Sequence, residues 1–383
     1  MTTSTLAGFS NDVDSFPAWA EIDLDALGRN FDLLKARVGA DRQIIVPVKA
    51  NAYGHGAVSV ARHLAARGAY AVQTACVRDA VEIRRSGNPV RIVTYPGDLR
   101  ADLSTLLQHD IVPSVVDLDG ARHVSDTVSR PTAIYVKIDA GLQRLGVLLE
   151  HAEDVVMRMA ALPNLSIDGL YTHLPISDMR HAAWARSRIR AFEALVLDLE
   201  RRGLELPMTQ ARASAHVMAR IDDGLSAVCA GHLLYGLSPF ATSEAIDFPT
   251  KPVLGAFRSR LIQVRPTGKS CTETPYGGDF RNVETTGVIP VGRAHGVRRP
   301  LKQPASAVLV AGRPARILSV TLEYTVIDLT DHPNVRPGEI VTLLGDDGDA
   351  SLSLDDVATR PDCTPLDFCI GLRGVAFRYR GAR

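Results

Sequence analysis

Residues 43–49 read Gln-Ile-Ile-Val-Pro-Val-Lys, an apolar run too short for a helix that stops on a lysine. Seven further short runs follow, at Tyr70–Thr74, Arg91–Tyr95, Ile111–Val116, Ala133–Ile138, Ile167–Tyr171, Pro207–Gln210 and Ala227–Leu234. Helical patterns lie between them, among them Asp25–Arg37, Val58–Arg67, Ala80–Ser86 and Met179–Glu200. In the first, Leu27, Phe31 and Leu34 share a face and Asp25 is placed to cap the N-terminus. Eight strand–helix units within roughly 200 residues fit a closed (β/α)8 TIM-like barrel of the α/β class better than an open sheet.

Beyond about Pro252 the pattern changes. Segments such as FRSRLIQVRP, VETTGVIPVG, SAVLVAG, TVIDL and EIVTLLG are short strands separated by Gly, Pro and Asp. The expected organisation is a disordered leader over 1–17, the barrel over 18–245 and a C-terminal all-β domain over 246–383. A strand near 18–23 is a candidate to join that last domain. A length of 383 residues also favours one large and one smaller domain.

Lys plus Arg equals Asp plus Glu at 43 each, which leaves no electrostatic footprint for nucleic acid or an anionic membrane. No stretch approaches the roughly 18 apolar residues of a membrane span. The leader lacks the basic and apolar regions of a secretory signal. Five scattered cysteines without a CxxC fit free thiols in a reducing cytoplasm. HExxH, Walker A and GxGxxG patterns are missing, so metal sites and nucleotide chemistry are not expected. Arg180, Arg186, Arg188 and Arg190 read as a solvated helix face.

A barrel builds its active site at the C-terminal ends of its strands. That rule nominates Lys49 after the first strand, Arg144 after the fifth and His173 at the end of the sixth. Ser214 after the seventh and Gly231 in the eighth complete the set. An amine, a ring partner, hydroxyls and backbone donors suit an anionic cofactor. Lys49 closes the run IIVPV, where desolvation lowers an amine's pKa and readies it to condense with an aldehyde.

The segment VKANAYGHG (Val48–Gly56) resembles the cofactor signature of alanine racemases, in which the lysine carries pyridoxal 5'-phosphate. KIDAGLQRLG (Lys137–Gly146), GLYTHL (Gly169–Leu174), LLYGLSP (Leu233–Pro239), TPYGGDF (Thr274–Phe280), IPVG (Ile289–Gly292) and GVRR (Gly296–Arg299) follow in that family's order. The resemblance runs from about Ala20 to Tyr379. It implies a racemase that interconverts L- and D-alanine, or a related small amino acid, with Lys49 and Tyr276 as acid/bases on opposite faces. It further implies that Tyr53, Ser214, Gly231 and His232 hold the cofactor phosphate and that His173 packs on the pyridine ring. Arg144 would orient the phenol and the substrate carboxylate, itself held by Lys137, which many relatives carry carbamylated. Tyr276 would come from the other subunit of a homodimer.

Departures cluster in the pocket. Cys229 stands where the family places an arginine against the pyridine nitrogen, and a neutral thiol is a weak donor. Arg293 replaces an entryway tyrosine, and Leu322-Glu323-Tyr324 aligns near the substrate carboxylate, which makes Leu322 a candidate substrate contact. Gln210–Ser214 replaces HxANS, and Thr364–Cys369 lacks a phosphate-contacting tyrosine. These changes leave room for a different reaction on the same fold: decarboxylation, aldol cleavage or epimerisation of a specialised amino acid. A non-catalytic cofactor-binding protein is a third reading, against which the β domain argues.

Overall fold

The computed structural model describes residues 16–240, 248–268, 279–298, 307–358 and 363–381. Its strands in chain order are β1 (Ala18–Asp23), β2 (Gln43–Pro47), β3 (Ala71–Thr74), β4 (Arg91–Thr94), β5 (Ser114–Val115), β6 (Thr132–Asp139), β7 (Val147–Leu148), β8 (Leu165–Tyr171), β9 (Met208–Arg212) and β10 (Ala227–Val228). After them come β11 (Leu254–Arg260), β12 (Gln263–Pro266), β13 (Thr285–Ile289), β14 (Ala307–Val310), β15 (Arg313–Val320), β16 (Thr325–Asp328), β17 (Ile340–Asp347), β18 (Ala350–Leu352) and β19 (Ala376–Arg380). Two compact units result. Leu24–Pro252 forms one, and the N-terminal segment through Asp23 joins Val253 onward in the other.

In the first unit the strands run in the order β4-β3-β2-β10-β9-β8-β6-β5, with the short β7 beside β6. A parallel bridge between Val93 and Val112 closes the ring. There Thr94 N–H donates to Val112 O (3.0 Å) and Val112 N–H donates to Ile92 O (2.9 Å). Eight parallel strands therefore make the expected barrel. Ile45, Ala71, Val93, Tyr135, Tyr171, Met208 and Ala227, each from a different strand, fill its interior as a packed core. Gly169 allows this filling, because a Cβ there would meet Met208 Cε at 2.6 Å and the Tyr135 ring at 2.9 Å.

Three readings of this unit need correction. The eighth strand ends at Val228, and Gly231–Leu234 is a helical turn rather than its continuation. The first helix spans Leu24–Val38, so Asp25 lies inside its first turn instead of capping it. The unit also extends to Pro252 rather than 245. Asn30 accounts for that last difference: its Nδ2 donates to Lys251 O (2.8 Å) and its Oδ1 accepts Lys251 N–H (3.0 Å).

The second unit is a sheet ordered β12-β13-β16-β15-β14-β17-β11-β1-β19, with β18 on β17. Strand β1 pairs antiparallel with β11 and parallel with β19, which takes 18–23 out of the barrel. Its buried Glu21 fits there because Arg258 Nε (3.2 Å) and Arg380 pair with the carboxylate. Strands β15, β18 and β19 and the helices Leu354–Val357 and Pro365–Gly371 were not foreseen. Of the expected leader, residues 1–15 lie outside the described residues.

Candidate active site

A cavity of about 640 Å³ opens at the C-terminal ends of the barrel strands. Lys49, Tyr53, Lys137, Arg144, His173, Ser214, Gly231 and His232 all line it, and so does Cys229. Residues spread over 184 positions of sequence thus converge on one space, because each follows or closes a barrel strand.

The backbone after Lys49 turns in the left-handed sense, with φ of 52°, 54°, 55° and 54° at Ala50, Asn51, Ala52 and Tyr53. That hand costs an L-residue roughly 1–2 kcal/mol per position, so the surroundings must hold it. Asn51 Oδ1 accepts Ala57 N–H (2.8 Å), and His55 Nδ1 lies 3.1 Å from Ala52 O and 2.9 Å from Tyr53 O. Tyr235 stacks on both Tyr53 (centroids 4.8 Å apart) and His55 (4.9 Å), and its hydroxyl donates to Pro47 O at 2.9 Å. The turn leaves Lys49 Nζ 5.7 Å from the Tyr53 ring centroid and 5.5 Å from that of Tyr95. Burial lowers the Lys49 pKa; Cys229 opposes the shift and the Arg144 guanidinium adds to it.

Beside it, Lys137 is 6% exposed, with its Nζ 4.8 Å from the Tyr171 ring centroid and, among the described residues, no hydrogen-bond partner. Burial and then Arg144 bring its pKa down to about 7, against Asp139 and Cys229. Thr172 Oγ1, also at the cavity wall, is buried without a partner. Burial, with the nearby Lys137, Lys49, Arg144 and His216, drops His173 to about 3 and keeps its ring neutral.

Arg144 is exposed at the cavity rim, on a loop organised by Asp139. Asp139 Oδ1 accepts N–H from Gly141 (2.9 Å), Leu142 (2.8 Å) and Gln143 (3.1 Å), and Oδ2 accepts Arg144 N–H (2.7 Å). Burial opposes the Asp139 charge, yet these four donors outweigh it and hold the pKa below its ordinary value. Arg188 ties the loop from the other side, its Nε donating to Ala140 O at 2.6 Å. The arginine-rich helix is therefore more than a solvated face. Arg186 and Arg190 are exposed, while Arg188 is half-buried.

A compact cradle lies at the opposite end. Ser214 Oγ accepts Leu233 N–H at 3.2 Å, and the Tyr53 and His232 rings meet edge-on at 5.9 Å. A Cβ on Gly231 would fall 2.5 Å from Tyr53 Oη and 2.8 Å from Pro47 Cγ. Hydroxyls, backbone N–H groups and a side-chain-free surface suit a phosphate. With a depressed amine and the orphaned Lys137 and Thr172 atoms, the cavity fits pyridoxal phosphate.

The lining of this cavity does not include Leu322. Leu322 belongs to the β unit, in the turn after β15, and is 57% exposed. Tyr276 lies outside the described residues, as does Arg299. Tyr95, Asp139 and Tyr171 were missed as site residues. The strand-end rule that nominated Lys49 also reaches Tyr95, the residue after β4, and Tyr171, which closes β8.

Comparison with known proteins agrees with this geometry. Residues 22–239 match the model of the alanine racemase N-terminal domain, and 255–378 that of the alanine racemase C-terminal domain. An alanine racemase of Halothermothrix orenii is 30% identical over 364 residues, covering 93% of this chain and 94% of that protein. One of Methanococcus maripaludis is 27% identical over 90% of this chain and 94% of its own length. The solved alanine racemase of E. faecalis superimposes with a TM-score of 0.82 at 25% identity, over 95% of this chain and 98% of that one. That of Corynebacterium glutamicum gives 0.78 at 26%, over 95% and 100%. These matches show that the chain belongs to the alanine racemase family.

Proposed function

We infer that this chain is a pyridoxal-phosphate-dependent alanine racemase. The observation that carries the reading is Lys49, an amine with a depressed pKa at a strand end, facing a cradle that only a glycine at 231 keeps open. Bound there, pyridoxal phosphate acts as an electron sink that makes the substrate Cα proton removable.

Lys49 would hold the cofactor and move the Cα proton at its Nζ on one face. Tyr53, Ser214, Gly231 and His232 bind the phosphate. His173, held neutral, would pack on the ring without adding charge. Arg144 orients the substrate carboxylate. Lys137, its pKa brought down to about 7 by burial, is suited to take up carbon dioxide and present a carbamate to Arg144. On the opposite face the proton carrier is Tyr276 of the partner subunit, so a homodimer shares its active sites. Racemisation needs a proton carrier on each face, and this pair supplies both. Leu322 is retained as a candidate substrate contact. The thiols at Cys76, Cys229 and Cys369 suit a reducing cytoplasm. No helix among the described residues is long and apolar enough to cross a membrane.

Incubating the protein with L-alanine and a panel of amino acids in deuterated water tests the reading. The expected product is D-alanine carrying deuterium at Cα. Release of carbon dioxide, or exchange with no inversion for any amino acid in the panel, would replace racemisation with another reaction.

A further inference from the structure

Cys229 is half-buried in the barrel mouth, two residues before the Gly231 cradle. Its backbone N–H donates to Arg212 O (3.0 Å), so strand β9 sets its place. Across the cavity floor, Tyr95 N–H donates to Thr74 O (2.8 Å), which anchors Tyr95 to strand β3. These two backbones hold Tyr95 Oη 3.7 Å from Cys229 Sγ, a hydrogen-bonding distance for sulfur. Lys49 Nζ lies above the same Tyr95 ring, and the unpartnered Lys137 Nζ and Thr172 Oγ1 line the same space.

Burial raises the pKa of both groups. The thiol stays protonated although Tyr95, Lys49 and Lys137 favour its thiolate, and the phenol lies well above its ordinary value. Each therefore carries one proton. A phenol O–H is the stronger donor of the two and sulfur can accept it, which leaves the S–H free to donate elsewhere. Tyr95 is half-buried in the cavity wall, and the thiol both gives its hydroxyl a partner and is oriented by it.

We propose that Tyr95 is a positioning residue that turns the Cys229 S–H into the cavity, as a neutral hydrogen-bond donor to the cofactor ring nitrogen. The proposal rests on the reading of the cavity as a pyridoxal phosphate site. A flat ring anchored at Lys49 and at the phosphate cradle has little freedom, and Cys229 lines the same cavity two residues before Gly231. No full charge then faces the ring nitrogen, which stays unprotonated and weakly hydrogen-bonded. Tyr95 acts only through the sulfur.

The test is nitrogen-15 NMR of the holoenzyme loaded with ring-labelled cofactor, for wild type, Tyr95→Phe, Cys229→Ala and Cys229→Ser. Borohydride trapping and peptide mass spectrometry of Lys49 run alongside, together with alkylation of Cys229 by iodoacetamide. Cys229→Ala should move the ring resonance toward free, unbonded pyridine. Tyr95→Phe should move it the same way, the double variant no further than Cys229→Ala, and Cys229→Ser should restore most of the shift. Cofactor at 100 times its dissociation constant should slow Cys229 alkylation roughly 100-fold. A ring resonance unchanged in Cys229→Ala, with the Lys49 adduct intact, overturns the proposal and leaves the cofactor reading standing. So does a resonance that moves in Cys229→Ala and not in Tyr95→Phe. Absence of any Lys49 adduct in wild type overturns both.

Discussion

Replacing Gly231 with alanine tests the phosphate cradle at its tightest point. The new Cβ would lie 2.5 Å from Tyr53 Oη, 3.0 Å from Tyr53 Cζ and 2.8 Å from Pro47 Cγ. Carbon contacts are comfortable only near roughly 3.5–4 Å, so something must retreat by about an ångström. Pro47 cannot, because it ends strand β2 in register with Gln73 and its carbonyl holds the Tyr235 hydroxyl. The Tyr53 hydroxyl must therefore yield, although Tyr235 and His232 box its ring. Displacing it removes one hydrogen bond to a charged phosphate, worth about 1.5–3 kcal/mol. Cofactor binding should weaken roughly 10- to 150-fold, at about 1.4 kcal/mol per decade. Fluorescence titration of apoprotein with pyridoxal phosphate measures this, with Tyr53→Phe as the second arm of a double-mutant cycle. In the Tyr53→Phe background the alanine should cost less than half as much, since the closest clash has gone. Binding within twofold of wild type, or fully additive losses, would refute the placement of Tyr53 and Gly231 at the phosphate.

Other outcomes follow from the same structure. Lys49→Ala should lose the visible cofactor absorption and all turnover; a yellow, borohydride-sensitive variant would contradict the assigned anchor. Tyr276→Phe should abolish deuterium exchange from one alanine enantiomer while the other still exchanges, and equal slowing of both would count against a two-face scheme. Cys229→Arg should lower the ratio of transamination to racemisation, and an unchanged ratio removes Cys229 as the determinant of ring electronics. Burial pushes His55 and His216 down to about 4 from an ordinary 6.5. In His55 two backbone bonds oppose the shift, and in His216 Arg212 adds to it. Their folded pKa values are depressed, so the unfolded chain binds more protons below 6.5. The stability from these two histidines is complete above pH 6.5 and is lost as pH falls toward 4. In that window the pair should add up to about 3 kcal/mol per pH unit to the slope of unfolding free energy. Urea unfolding between pH 5 and 7 reads this slope; a flat profile, or one unaltered by His216→Gln, would contradict the burial argument.

Much of the site was legible along the chain because barrels place chemistry at strand ends. Lys49, Arg144, His173, Ser214 and Gly231 each follow or close a parallel strand, and a count of short apolar runs located them. The left-handed turn at Ala50–Tyr53 was not legible, since neither alanine nor tyrosine favours that hand. Asn51 within the turn, and His55 and Tyr235 beyond it, brace it. Asp139 reads in sequence as one more strand-end acid, and Arg188 as one more exposed charge. Their work on the Arg144 loop appears only when Ala140 and the long helix meet in space.

The sequence by itself determined the barrel, the candidate lysine at its strand end, the change to an all-β region and the family, because these rest on local periodicity and contiguous motifs. Tertiary structure decided that residues 18–23 pair within the sheet, that Tyr95 meets Cys229, and that a glycine at 231 keeps the space beside Tyr53 and Pro47 open. Those outcomes depend on distances between segments far apart in the chain, set by strand register and by close packing.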